Sequence, residues 1–258
     1  MNKGNIETNV LNVNLSLKQE RIGSRIVISL LMRTFLFFIF GAIIVGLFTM
    51  SGYDNPLKEA EKWWPFQAIL TNITTFFILR QLLKKEGIQY RSIFNFKKGR
   101  AWKDIKETIW LLLIGIALGA IPLYIFSYLL LGSFIPPDTM FQPIPSWALV
   151  IAVIIFPLSN GLVETPTYIG YALPRIYKVS KKLWIAIIIA GIALALQHIA
   201  LPLVFDIPYM AWRFLSFLPL AIGLGFIFTK TNRLLPIAAA HFLMDLQLII
   251  QLWLMTVK

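Results

Sequence analysis

Seven blocks of predominantly apolar residues divide this chain, at approximately 27–50, 64–83, 108–133, 146–173, 183–201, 211–229 and 234–256. An α-helix rising about 1.5 Å per residue needs about 20 such residues to cross a hydrocarbon core of about 30 Å. The blocks are continuous, without the apolar stripe of a soluble helix, and mean hydropathy is +0.74. The expected fold is therefore all-α, a polytopic transmembrane helical bundle of about seven spans, with eight as the alternative if a further crossing or re-entrant segment is present. No internal repeat and no shift in composition marks a second domain. One integral membrane domain is expected over 26–258, preceded by a cytoplasmic tail over 1–25.

A net charge of +12 could suggest a nucleic-acid partner, but the placement of the charge argues against one. With the amino terminus inside, the cytoplasmic parts carry 20 of the 24 Lys and Arg residues, and the opposite side carries Lys58, Lys62, Arg213 and Lys258. This is the positive-inside asymmetry, and with seven spans it puts the carboxyl terminus outside. Membrane lipids are the expected partners of the connector "KKEGIQYRSIFNFKKGRAWKDIKE" between the second and third blocks, where Tyr90, Phe94, Phe96 and Trp102 are interleaved with basic residues in the manner of a headgroup-layer segment. There is no cysteine, which excludes disulfides and thiolate chemistry. The first twenty residues are polar and Asn-rich and lack the apolar core of a secretory signal; an interfacial turn is expected at "LKQERIGSR". The expected location is the bacterial plasma membrane, with the amino terminus cytoplasmic.

Polar residues inside the apolar blocks carry the functional information. Of twelve acidic residues only Glu164 and Asp245 fall within the blocks, and both histidines of the chain, His198 and His241, fall there too. Ionised groups in hydrocarbon cost about 2.5–3.5 kcal/mol on insertion scales, so such residues face partners or a water-filled cavity. Measured from the basic flank, Glu164, His198 and His241 lie roughly 16, 22 and 12 Å deep, and four-residue spacing puts His241 and Asp245 on one helical face. Pro166 denies an amide hydrogen to the carbonyl of Leu162, so the helix is expected to bend or open beside Glu164. Arg33, Arg80 and Arg213 sit near block ends and are expected to snorkel.

These residues resemble the CPBP group, also called the Abi family, which includes CAAX prenyl proteases and bacteriocin-processing or self-immunity proteins. Its first motif reads Glu-Glu-x-x-x-Arg, often continued by Gly-Tyr-x-Leu-Pro; here "ETPTYIGYALPRI" carries Glu164 in the first position and matches the continuation. The second motif, Phe-x-x-x-His, is matched at His198 with Leu194 in place of Phe, and the third, His-x-x-x-Asn/Asp, at His241 and Asp245. The resemblance covers about 146–250 and implies a CAAX-protease-like catalytic core there. Two positions depart: Thr165 replaces the second Glu and Ile169 the Arg.

The resemblance implies an intramembrane endopeptidase acting on a peptide or lipidated protein, with Glu164 and His198 activating water and His241 with Asp245 on the oxyanion side. Asp245 fits best as the group that orients His241, the part a carboxylate plays in catalytic triads. Two histidines and a carboxylate would also suit a divalent metal such as zinc, and a metal-free glutamate mechanism is equally open. A catalytically degenerate self-immunity or scaffold protein is the alternative, and a proton-coupled transporter using Glu164 and Asp245 is the third reading. Substrate, prenyl recognition and oligomeric state are not written in the sequence.

Overall fold

The computed structural model describes residues 19–256. The first eighteen positions, and with them most of the expected tail, lie outside the described residues. The segment around "LKQERIGSR" does not turn: from Gln19 onward it is already part of α1 (Gln19–Met50). A short α2 (Pro56–Lys62) leads into α3 (Trp64–Lys84), and α4 (Ala101–Leu131) follows the basic connector. Next, α5 (Ser146–Thr165) runs through a π-helical turn (Pro166–Ala172) into α6 (Leu173–Ser180). The chain closes with α7 (Leu183–Leu196), a 3₁₀ turn (Gln197–Ala200), α8 (Ile207–Thr231) and α9 (Leu234–Thr256). Seven helical segments among the described residues are long and apolar enough to span a membrane, so this is an integral membrane protein with a helical-bundle fold.

Local chemistry sets the helix ends. The Asn55 side chain accepts from the Lys58 amide at 3.1 Å and Pro56 opens α2, while Asp206 accepts from the Tyr209 amide at 2.7 Å and Pro208 stands in the first turn of α8. These are N-cap and first-turn roles suited to those residues. Asn232, at φ 51°, ends α8 in the left-handed conformation tolerated by Asn, and its amide returns to Phe228 O at 2.7 Å. Only two residues then separate α8 from α9.

Among the described residues two large apolar clusters make up most of the core, with a smaller one of Leu79, Leu82, Leu83 and Tyr171 beside them. Near the basic end, Tyr168, Ile169, Leu173, Leu194, Leu224 and Ile237 pack together. Toward the other end, Phe37, Trp64, Leu149, Phe156, Leu201 and Ile249 form a second cluster. The segments that serve both clusters change from one to the other around the same polar level: α1 between Leu30 and Phe37, α5 with its π-helical turn between Phe156 and Tyr168, α7 with the turn after it between Leu194 and Leu201, and α9 between Ala240 and Ile249. That level is where Glu164, His198, His241 and Asp245 stand.

Two contacts hold the frame around it. A Cβ at Gly161 would lie 2.8 Å from Ala238 O and 3.2 Å from the Phe242 amide, so α5 and α9 meet backbone to backbone. At the basic end Glu86 accepts from Arg175 (Nε, 3.0 Å to Oε2), Tyr171 (2.7 Å) and Arg25 (3.3 Å), tying α1 to the α5–α6 segment. Burial alone would push the Glu86 carboxyl up, but hydrogen bonds and charge from Arg175, with Tyr171 and Arg25, outweigh it and hold it below the usual carboxylate range.

Gly161→Ala is expected to cost about 1–3 kcal/mol, because the obstructing atoms are backbone and cannot rotate away. Gly46→Ala, where a Cβ meets nothing within 4 Å, should cost nothing; thermal unfolding in lipid nanodiscs compares the two. For Glu86 the folded value lies below the unfolded one of about 4.3. Its contribution is then complete above that value and fades as pH falls through the lower, folded one. The stability gap between wild type and Glu86→Gln should be flat from about pH 7 to 5 and shrink on further acidification.

Candidate active site

The turn that carries Glu164 is built around Pro166. With no amide hydrogen at Pro166, the Leu162 carbonyl is left free, and the hydroxyl of Tyr90, from the basic connector, donates to it. Thr167 donates its hydroxyl to Val163 O at 2.6 Å. The helix opens here as a π-helical turn, a widening common at functional sites.

Glu164 is almost wholly enclosed, with 2% exposure. Its Oε2 accepts from Arg33 Nη2 at 3.0 Å, and its Oε1 lies 3.7 Å from His241 Nε2. The same His241 nitrogen lies 3.3 Å from Asp245 Oδ2. Nδ1 of His241 pairs with the Thr165 hydroxyl at 2.8 Å. With two carboxylates facing Nε2, the imidazole proton belongs there, and Thr165 donates to Nδ1. The position where the first motif carries its second Glu thus supplies a hydroxyl that orients His241. Asp245 Oδ2 also accepts from Asn160 Nδ2 at 2.8 Å.

His198 is held separately. Its Nδ1 faces the carbonyl of Leu194 at 3.0 Å and must donate to it, which leaves Nε2 as an acceptor. The ring stacks on Phe217, with centroids 3.7 Å apart. No hydrogen bond joins His198 to the other three residues, but all four line one cavity of about 550 Å³ among α4, α5, α7, α8 and α9. Apolar side chains such as Leu112, Ile116, Leu220 and Leu248 form most of its wall.

Two sequence expectations are overturned. Arg33 does not snorkel: α1 begins earlier than its apolar block, so Arg33 stands about 16 Å into the span that opens at Ile22 and is fully buried. Besides Glu164 it donates to Gln197 Oε1 and Asn72 Oδ1, both at 2.6 Å, and to Asn160 Oδ1 at 3.3 Å. Arg213 does not snorkel either; it is 4% exposed, packed between aromatic rings, and lines the cavity. Arg80 is exposed.

Sequence reasoning also missed Asn72, Asn160 and Gln197. Asn160 lies four residues before Glu164, and Gln197 directly precedes His198, so both occupied readable positions. Ile169, where the first motif has Arg, is fully buried in the apolar core; the cation that meets Glu164 comes from α1 instead.

The side chains do not fit a metal ion. Among the described residues no three of His, Cys, Asp and Glu are grouped as ligands. Arg33 engages Glu164 Oε2, and the single Nε2 proton of His241 faces Glu164 Oε1 and Asp245 Oδ2.

No curated protein and no solved structure matches this chain. Residues 145–247 do match one family model, described as type II CAAX prenyl endopeptidase Rce1-like. That segment holds Glu164, His198, His241 and Asp245, so the likeness to this family covers all four residues and agrees with the resemblance of the three motifs.

Proposed function

We propose that this protein is an intramembrane endopeptidase that hydrolyses a peptide bond of a membrane-borne peptide or lipidated protein. The observation that carries the reading is the convergence of Glu164, His198, His241 and Asp245 on one apolar-walled cavity at the level where the two core clusters part. Similarity to a protease family over the same segment supports it.

In this reading Glu164 and the free Nε2 of His198 hold a water between them. The water oxygen bonds to the scissile carbonyl carbon, and its proton passes to Glu164 Oε1, the oxygen not engaged by Arg33. His241 Nε2–H, which faces Asp245 in the resting site, turns to the developing oxyanion, and Thr165 at Nδ1 fixes the ring. The peptide nitrogen takes the proton back from Glu164 as the carbon–nitrogen bond breaks. General acid–base assistance of this kind is worth about 10²–10⁴ in rate, and the preorganised donor adds further stabilisation of the oxyanion. Arg33 fixes the carboxylate in place and offsets its charge.

A second reading has one observation in its favour. The Arg33–Glu164 pair already gives Glu164 a structural partner, as a non-catalytic self-immunity or scaffold protein would require. Cleavage of membrane-tethered and lipidated peptides in liposomes separates the two. Glu164→Gln and His198→Ala should each lower the rate about 10²–10⁴-fold, Asp245→Asn should lower it less, and chelator should leave it unchanged. Undiminished cleavage by Glu164→Gln would refute these assignments, and a folded wild type that cleaves none of the peptides would favour the scaffold.

Arg33→Met alone should destabilise by about 3–5 kcal/mol, since it strands a buried carboxylate. Combined with Glu164→Gln it should recover much of that stability, measured by unfolding in nanodiscs, without recovering cleavage.

A further inference from the structure

Four arginines are buried among the described residues, and three of them meet a carboxylate. Arg33 pairs with Glu164, Arg175 with Glu86 and Arg233 with Asp104. Arg213 is the exception. No carboxylate of the described residues lies within ion-pairing distance of it, its Nη2 donates to Leu201 O at 2.9 Å, and its buried Nε has no partner. A desolvated charge without a counter-ion costs several kcal/mol, and in a membrane span it marks a site of function by default. The side chain lines the same cavity as Glu164 and His198. Phe217 joins the two places: its ring stacks on His198 and lies 4.8 Å from the Arg213 guanidinium carbon.

We propose that Arg213 is a substrate-binding residue that takes a carboxylate carried by the peptide whose scissile bond lies at Glu164. The inference rests on the peptidase reading for the identity of the ligand. A guanidinium offers its Nε and Nη hydrogens as a planar fork matched to a carboxylate, and the unpartnered Nε is one tine of that fork. The apolar walls accept the remainder of the peptide, so the cavity selects a ligand that is apolar along its length and anionic at one place. Two sources supply that anion with the same chemistry, a terminal α-carboxylate or an acidic side chain.

The test uses full-length protein in nanodiscs and a non-hydrolysable probe, an N-lauroylated hexapeptide of alternating alanine and leucine with N-methylated peptide bonds. Three forms are compared by tryptophan fluorescence, Trp64 being in the cavity wall: the free acid, the carboxamide, and the carboxamide ending in aspartate. Wild type should bind the free acid about tenfold or more tighter than the carboxamide. Tight binding of the aspartate form would assign the anion to a side chain, and weak binding to the chain terminus. Arg213→Met should erase the preference and Arg213→Lys should keep part of it. Equal binding of acid and carboxamide by wild type overturns the proposal whether or not Arg213→Met folds, as does a preference that survives in a folded Arg213→Met. Cleavage of the unmethylated peptide is scored separately. A binding preference without cleavage counts against the peptidase reading alone, and cleavage without a preference counts against Arg213 alone.

Discussion

The ion pair between Arg33 and Glu164 is the interaction on which the polar centre of this bundle depends. Neither charge is tenable there alone, because each is enclosed by protein at membrane depth. Together they also gather the amides. Arg33 reaches Gln197, Asn72 and Asn160, and Asn160 passes the connection to Asp245. One guanidinium therefore links α1, α3, α5, the turn after α7 and, at one remove, α9. Its planar array of donors is what allows so many elements to share one charge, which a lysine in the same place would not do.

Much of this architecture was readable in the chain. The seven apolar blocks became the seven spans because the bilayer imposes a length on any helix that crosses it. The shared level of Glu164, His198, His241 and Asp245 followed from their isolation in apolar surroundings, and the weakening of the helix at Pro166 from the chemistry of proline. Arg33 was misread for a physical reason. Its helix starts before its apolar block does, so a residue that looked terminal by composition is central by geometry. Arg213 was misread because distance from a helix end does not say which way a side chain faces. The amides were invisible to a search for charge, although Asn160 shares a helical face with Glu164.

The replaced motif residues make sense in three dimensions. Ile169 packs into the core cluster near the basic end, and a cation there would have no place. The charge that Glu164 requires arrives from a residue 131 positions earlier in the chain. Thr165 keeps a polar contact to His241 Nδ1 without adding another negative group to a centre that already holds Glu164 and Asp245. The two departures are thus compensated by different means, one by a distant partner and one by a neutral hydroxyl.

The hydroxyl of Tyr90 on the Leu162 carbonyl carries a broader lesson. It spans 72 residues and comes from before the segment with the family likeness, as do Arg33 and Asn72. Severed at its first residue, that segment would lose the cation of Glu164, the amide that supports Ser159 and Asn160, and the donor that completes the π-helical turn. The segment with the family likeness is not a transplantable module. Its electroneutrality and its backbone are both finished by residues that precede it.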